Sequence, residues 1–413
     1  MAAEHATRVV IVGGGECAAR AAAVLRERGF AGPVVVIGEE AAPPYERPPL
    51  SKAALTDDEP AAVTVLSAGH AAERSIELRL GDRVEMVDPT ASEVELSDGT
   101  RIGYDRLLLA TGARARELPV PGGERAASLR SLADATHLRT RLVSGASVVV
   151  IGAGFIGLEV AAAARRRGCR VTVIEALGRA MGRGVPDSVA DVLVKRHIAE
   201  QVDLRFDTAV QAIEAHGDMS VVHVGSGGET LVADVVLAGV GAIPNTELAE
   251  RAGLALDNGI AVDSALRTSG PAVWAAGDCC SMPHALYGDT RLRFESWRMA
   301  RDQATVAAAT MMGTDEICHS VPWFWSDQYD LTLQIVGLPG FAVDEVVRSN
   351  SDGTWVHFGR DSQGRLVSAS TVAGPGNMGV FKSIKAAERL IAAGATPSPS
   401  VLADPGINLR SLL

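Results

Sequence analysis

Two acidic residues, Glu39 and Glu175, each end an apolar run that follows a glycine-rich turn. The first turn, "IVGGGECA" at 11–18, sets Gly13, Gly15 and Ala18 at G-x-G-x-x-G/A spacing. The second, "IGAGFIGLE" at 151–159, sets Gly152, Gly154 and Gly157 at the full form of that spacing. In such a turn the first glycine permits the tight bend and the second lets backbone approach a phosphate. The third position allows the helix to pack closely on the strand. The helix that opens there offers free N–H groups and a favourable dipole to the anion. A carboxylate at the end of the next strand accepts hydrogen bonds from a ribose diol, so each set of turn and acid reads as a dinucleotide site. Glu175 suits a free 2′-hydroxyl and repels a 2′-phosphate, which favours NADH over NADPH. Arg179 and Arg183 follow closely enough to compensate.

The elements that must hold these residues are legible around them. "RVVIV" (8–12), the Ala-rich "CAARAAAVLRERG" and "PVVVIGEE" form a strand–helix–strand unit, and residues 147–175 repeat that architecture. Between the units, "EMVDPTASEVELSDGTRIGYDRLLLATGA" predicts alternating strands around a turn and then a buried strand. "VPDSVADVLVKRHIAEQ" predicts an amphipathic helix opened by Pro186 and Asp187. "LVADVVLAGVGAIPN" reads as a strand ending at Gly239 and Gly241, and "AVWAAGDCC" as a further buried strand ending in a Gly–Asp turn. The last ninety residues change character. "DLTLQIVG", "VDEVVRS", "TWVHFGR" and "GRLVSASTVA" read as antiparallel strands, and Val380, Ile384, Ala387 and Ile391 fall on one face of a helix. The fold class expected is α/β, with two Rossmann-like dinucleotide domains and a C-terminal α/β domain built on an antiparallel sheet.

Composition narrows the function classes. A chain of 413 residues exceeds one compact core and suggests two or three domains. The net charge of −11 argues against nucleic acid or an anionic membrane as the main partner. The apolar stretch at 147–164 is interrupted by Glu159 and three glycines, which suits a strand, turn and helix better than a membrane span. The first strand follows the start of the sequence so closely that no signal peptide is expected. Five cysteines without C-x-x-C spacing point to a reduced, cytoplasmic protein without a disulfide framework, and no metal site is expected.

Several stretches are more specific than a generic dinucleotide fold. "PPYERPPLSK" (43–52), "LLLATGARAR" (107–116), "GVGAIPNTELAE" (239–250), "AAGDCC" (275–280), "FESWRMARDQA" (294–304) and "PWFWSDQYD" (322–330) occur in order along the chain. Together they resemble the FAD-dependent ferredoxin reductase family, the putidaredoxin reductase-like flavoproteins that serve bacterial cytochrome P450 and oxygenase systems. Rubredoxin reductases and apoptosis-inducing factors are similar. The resemblance runs from residue 8 to about 408.

That resemblance implies a discontinuous FAD domain (1–116 and 244–320), an inserted NAD domain (117–243) and a C-terminal interface domain (321–413). It implies that the first turn holds the FAD pyrophosphate, with Glu39 on the adenosine ribose and Arg47 at the adenine–phosphate region. Lys52 would point at the flavin ring, Val84 would meet adenine through its backbone, and Arg116 would contact FAD. Asp278 would bond the ribityl chain, and the backbone near Ser296 and Trp297 would meet the flavin pyrimidine. NAD(H) would be held by Gly152, Gly154, Phe155, Gly157, Glu159, Glu175, Arg183 and Gly241. A Lys52–Glu159 pair would neutralise the lysine and orient the nicotinamide, which makes these two the candidate catalytic residues. A fixed cation beside a ring that gains negative charge is the electrostatics hydride transfer needs. Phe155 is expected to pack on a ring system, with core packing as the alternative.

Departures from the family pattern are Cys17, expected to fill space, and the adjacent Cys279 and Cys280, expected as two buried thiols. Disulfide-reducing relatives place redox cysteines where residues 39–70 here contain none, so the electrons have no thiol to reach. The activity implied is an FAD-dependent NADH:ferredoxin oxidoreductase. It passes single electrons to a [2Fe–2S] ferredoxin that feeds a cytochrome P450 or a Rieske-type oxygenase. Rubredoxin is the alternative acceptor, and a redox-responsive interaction flavoprotein the alternative class. Among Arg291, Arg293, Arg298 and Arg301, the first and third are expected to be exposed and to dock the ferredoxin. The oligomeric state expected is a monomer or weak dimer.

Overall fold

The computed structural model describes residues 7–57, 62–182, 184–374 and 376–413. The chain divides into two compact units. The first contains residues 1–46, 63–114 and 243–322; the second contains 47–62, 115–242 and 323–413.

The first unit is built on a parallel sheet whose strands lie in the order Val273–Ala275, Arg106–Leu109, Val9–Val12, Val34–Gly38 and Ile76–Leu80. Val9–Val12 and Val34–Gly38 are buried at every position, so both read as unbroken apolar runs. Strand order reverses beside Val9–Val12, and open sheets of this kind bind ligands at the carboxyl ends of the strands at such a point. The helix Glu16–Glu27 buries Ala18, Ala19, Ala21 and Ala22. Their small side chains let it lie closely along the helix Trp297–Met311, which buries Ala304, Ala307 and Ala308. An antiparallel sheet of Val84–Asp88, Glu93–Leu96 and Arg101–Gly103 supplies the alternating strands the sequence predicts.

The second unit repeats the parallel plan with Asp203–Arg205, Arg170–Ile174, Ser147–Ile151 and Val235–Ala238 in that order. A three-stranded meander turns Ile213, Val222, Val224 and Ala233 onto Val149, Ile151, Ile174 and Val236. The helix Phe155–Arg166 is buried continuously from Gly157 to Ala164. This explains the apolar run at 147–164: it is a buried strand, a turn and a helix. Among the described residues no helix is long and apolar enough to cross a membrane.

The same unit holds a five-stranded antiparallel sheet in the order Trp323–Gln328, Leu331–Gly337, Leu366–Ala373, Trp355–Arg360 and Asp344–Ser349. On the helix Met378–Ala392 the predicted stripe of Val380, Ile384, Ala387 and Ile391 is buried. Among the strands that escape the sequence reading are Ile76–Leu80, Val210–His216, Met219–Val224, Cys280–His284 and Trp323–Gln328. In the last of these the fully buried positions are the polar Ser326 and Gln328, while the aromatic residues are half-buried, so hydrophobic alternation gives no strand signal. The NAD and C-terminal regions expected from the sequence both fall in the second unit, along with residues 47–62.

Candidate active site

In the first turn Gly13 has φ +136°, and a Cβ there would lie 2.1 Å from the Ala110 carbonyl oxygen. Only glycine fits such a position. At Gly15 the opposite holds: no heavy atom lies within 4 Å of where a Cβ would stand. Gly15 caps the helix Glu16–Glu27 in an extended conformation, and no side chain caps that helix. Open space in front of uncapped helical N–H groups fits a dinucleotide phosphate. Ala18 is fully buried, as the third position of the turn requires.

Glu39 follows the strand Val34–Gly38, is exposed, and pairs with Arg83 at 3.2 Å. Val84 is buried at the start of its strand. Asp278 is half-buried after Gly277, and its carbonyl accepts from Arg293 at 3.3 Å. Ser296 and Trp297 open the helix Trp297–Met311. Arg301 lies over the Trp297 ring at 4.8 Å and pairs with Glu16 at 2.9 Å. Burial raises the Glu16 carboxyl above its ordinary range, with Arg301 opposing.

In the second turn Gly152 has φ +101° and Gly157 would place a Cβ 2.0 Å from the Gly152 carbonyl oxygen. Gly154 again faces open space, its nearest atom the Gly239 carbonyl oxygen at 4.0 Å, and no side chain caps its helix. Glu175 reaches back to the turn. It accepts the Ala153 N–H at 2.8 Å and the Leu177 N–H at 2.9 Å. Arg179 is tied within its own loop, paired with Asp187 at 2.6 Å and donating to the Gly182 and Val185 carbonyls, both at 3.1 Å. Arg183 lies outside the described residues. Gly241 is exposed with φ +109°, and its carbonyl accepts the Arg116 N–H at 2.9 Å. The Arg116 side chain is exposed. Phe155 packs on the protein's own Phe324, with ring centroids 4.2 Å apart.

Lys52 and Glu159, separated by much of the sequence, come together in the second unit. Glu159 stands one turn beyond Phe155, and its side chain is 3% exposed. Lys52 Nζ pairs with Glu159 Oε2 at 2.9 Å and donates to the Pro48 carbonyl at 3.2 Å. The same Oε2 accepts the Ser51 hydroxyl, and Oε1 accepts the Ser326 hydroxyl at 2.6 Å. A buried carboxylate is tolerated when its lone pairs are met in this way. The Trp325 ring lies 5.9 Å from Nζ and stacks on Trp323 at 5.0 Å. Arg47 donates to the Arg130 carbonyl within the same unit.

Sequence reasoning missed Ser51, Ser326, Gln328, His197 and Tyr329, which extend this polar cluster. Ser51 adjoins Lys52, and Ser326, Gln328 and Tyr329 lie in "SDQY" within the stretch 322–330. His197 had a signal: Val189, Leu193 and His197 recur every four residues, so the histidine lies on the buried face of its helix.

The five cysteines are free and buried. Burial pushes the Cys17, Cys279 and Cys280 thiols above their ordinary range and Cys318 to about 12. Cys17 packs on Gly277, and Cys280 donates to Gln303 at 3.5 Å. A thiol in that state is a poor nucleophile. Arg291, expected to be exposed, is half-buried: it donates to the Val262 and Ser281 carbonyls at 2.9 and 2.6 Å and pairs with Asp257 at 3.5 Å. Arg298 is 38% exposed and lies 3.8 Å from Asp302. Arg293 pairs with Glu295 at 2.8 Å.

Two such glycine-rich turns in one chain, each followed by an acid at a strand end, fit an oxidoreductase that works with FAD and NAD(H). The chain belongs to the pyridine nucleotide-disulphide oxidoreductase family, whose model matches residues 7–304, and the reductase C-terminal model matches residues 323–413. It is 44% identical to the ferredoxin–NAD(+) reductase component of the anthranilate 1,2-dioxygenase system of Burkholderia cepacia, over 98% of each chain. It is 39% identical to rhodocoxin reductase of Rhodococcus erythropolis, over 97% of this chain and 93% of that one. The reductase in the crystal structure of the covalent putidaredoxin reductase–putidaredoxin complex superposes with a TM-score of 0.91, at 34% identity and 98% coverage of both chains.

Proposed function

We propose that this chain is an NADH:ferredoxin oxidoreductase that takes hydride from NADH onto FAD and passes electrons singly to a [2Fe–2S] ferredoxin. The ferredoxin in turn feeds a cytochrome P450 or a Rieske-type oxygenase. The observation that carries this reading is the state of the thiols. In a family named for disulphide chemistry, all five cysteines are buried and unpaired, which leaves an external carrier as the outlet. Bound FAD supplies the conversion of a two-electron donor into a one-electron donor.

The chain's own residues divide the remaining work. Gly13, Gly15, Ala18, Glu39, Arg47, Val84, Arg116, Asp278, Ser296 and Trp297 hold FAD. Gly152, Gly154, Phe155, Gly157, Glu175 and Gly241 hold NADH. Lys52 offers a fixed positive charge that Glu159 anchors. Glu175 selects NADH, and the engagement of Arg179 with Asp187 weakens the case for compensation of a 2′-phosphate. The domains follow as FAD-binding (1–116, 244–320), NAD-binding (117–243) and C-terminal (321–413), in a cytoplasmic monomer or weak dimer.

The test is anaerobic flavin reduction with NADH and NADPH at equal concentration, followed by a screen of purified [2Fe–2S] ferredoxins and rubredoxins as acceptors. Faster reduction by NADH and turnover of a [2Fe–2S] ferredoxin are expected. Turnover of rubredoxin alone, or slow transfer to every carrier, overturns the proposal.

A further inference from the structure

The polar cluster at Glu159 does not end with the serines. Gln328 Nε2 donates to Ser326 Oγ at 3.0 Å, and Gln328 Oε1 lies 2.9 Å from His197 Nε2. His197 Nδ1 in turn lies 3.3 Å from the Tyr329 hydroxyl. Ser326, Gln328 and His197 are each at most 1% exposed. With the His197 ring neutral, only one assignment of hydrogens satisfies every contact. Tyr329 donates to His197 Nδ1, His197 Nε2–H donates to Gln328 Oε1, Gln328 Nε2–H donates to Ser326, and Ser326 donates to Glu159 Oε1. All donors run in one direction and finish on the carboxylate that holds Lys52. Such chains polarise one another.

We propose that Tyr329, His197 and Gln328 form a directed donor chain that fixes the Ser326 hydroxyl on Glu159 Oε1 and so presents Oε2 to Lys52. His197 is then a positioning residue for the Lys52–Glu159 pair, and the inference rests on the function proposed above. The tautomer of His197 sets the polarity of the whole chain. With the proton on Nδ1, Nε2 becomes an acceptor and the Gln328 amide turns its NH2 toward it. The Gln328 oxygen then draws the Ser326 hydroxyl away, leaving Glu159 Oε1 without that donor. An unmet acceptor on a buried carboxylate is costly, so the structure selects Nε2–H.

The surroundings favour the neutral ring. Burial lowers the His197 pKa, opposed by the hydrogen bond to Gln328 and reinforced by Arg196. The charged groups facing the ring and the Tyr329 hydroxyl are Arg196 and Glu200 on its own helix, Arg165 and Arg166 on the helix Phe155–Arg166, and Asp330 in the hairpin. The helix of His197 also packs on the strand Leu366–Ala373, whose sequence carries no titratable side chain.

The test uses the FAD-loaded protein and two independent readouts. Nitrogen-15 NMR of the histidine rings, with His197 assigned by its loss in His197→Gln, should show Nε2 protonated and Nδ1 unprotonated from about pH 6 to 8, bracketing the ordinary histidine range. This readout needs neither NADH nor ferredoxin, so it stands even if the proposed acceptor is wrong. Kinetically, His197→Leu should slow anaerobic flavin reduction at saturating NADH by about tenfold, as a misplaced neighbour does. His197→Gln, which keeps an N–H near the Nε2 position, should restore it to within about twofold. An Nδ1–H or doubly protonated ring at neutral pH overturns the proposal, as does a folded His197→Leu protein that reduces flavin at the wild-type rate. If the leucine variant fails to fold, Gln328→Glu takes its place. It removes the donor to Ser326, and an unchanged rate there also overturns the chain.

Discussion

A lysine ammonium at 2.9 Å from a nearly inaccessible carboxylate is held in place, and position is what an electrostatic catalyst needs. Replacing Lys52 with Met removes the cation while leaving Glu159 its two serine donors. Flavin reduction by NADH should slow by about tenfold, which corresponds to about 1.4 kcal/mol. Stopped-flow absorbance, normalised to bound FAD, measures it, and unchanged kinetics would remove Lys52 from the mechanism. Stability should fall as well. Breaking a fully buried ion pair costs about 3–5 kcal/mol, and less is expected here because the lysine side chain is 21% exposed. Lys52 and Glu159 are legible in the sequence only because the motifs that carry them resemble the ferredoxin reductase family. Ser51 and Ser326 are not. A serine hydroxyl is common everywhere, and Ser326 reaches Glu159 across 167 positions of chain that only the fold closes.

The two strand–turn–helix units show how much of an element its glycines dictate. Gly15 and Gly157 occupy equivalent stretches yet meet opposite surroundings: open space at the first, a backbone carbonyl 2.0 Å from a Cβ at the second. Gly15→Ala should therefore leave the fold intact and, on the function proposed, weaken retention of FAD, because the added methyl enters the open space proposed for its phosphate. Gly157→Ala should push the helix off its strand, at the cost of about 1–3 kcal/mol typical of overpacking or more. Thermal unfolding and the ratio of FAD to protein separate the two outcomes. A Gly15→Ala protein that keeps its flavin, or a Gly157→Ala protein with unchanged melting, contradicts this reading. These elements were legible because glycine spacing and apolar runs are local properties. The strand Trp323–Gln328 was hidden because its most buried side chains are polar, and their burial makes sense only once Glu159 and His197 are beside them.

On the scale of the whole molecule, 39 basic residues against 50 acidic ones give a net charge of −11, so an acidic ferredoxin meets a field that opposes it at long range. Productive docking then needs a local exception that is positive and accessible. The stretch "RLRFESWRMAR" carries four arginines, but the fold does not leave them equivalent. Arg291 is spent on two carbonyls, Arg293 on Glu295, and Arg301 on Glu16 and the Trp297 ring. Arg298, at 38% the most exposed of the four side chains, is the best placed of them to meet a partner. Arg298→Glu should weaken ferredoxin reduction by several-fold at low ionic strength and progressively less as salt screens the interaction, since exposed charges lose contact over about 8 Å at physiological salt. NADH-to-ferricyanide activity, which needs no docking, should hardly change. Arg291→Glu should behave differently, lowering thermal stability because a carboxylate would face the carbonyls the guanidinium now satisfies. Both activities titrated against salt for each variant decide the matter. Ferredoxin turnover in Arg298→Glu with wild-type magnitude and salt dependence would place the carrier elsewhere on the surface.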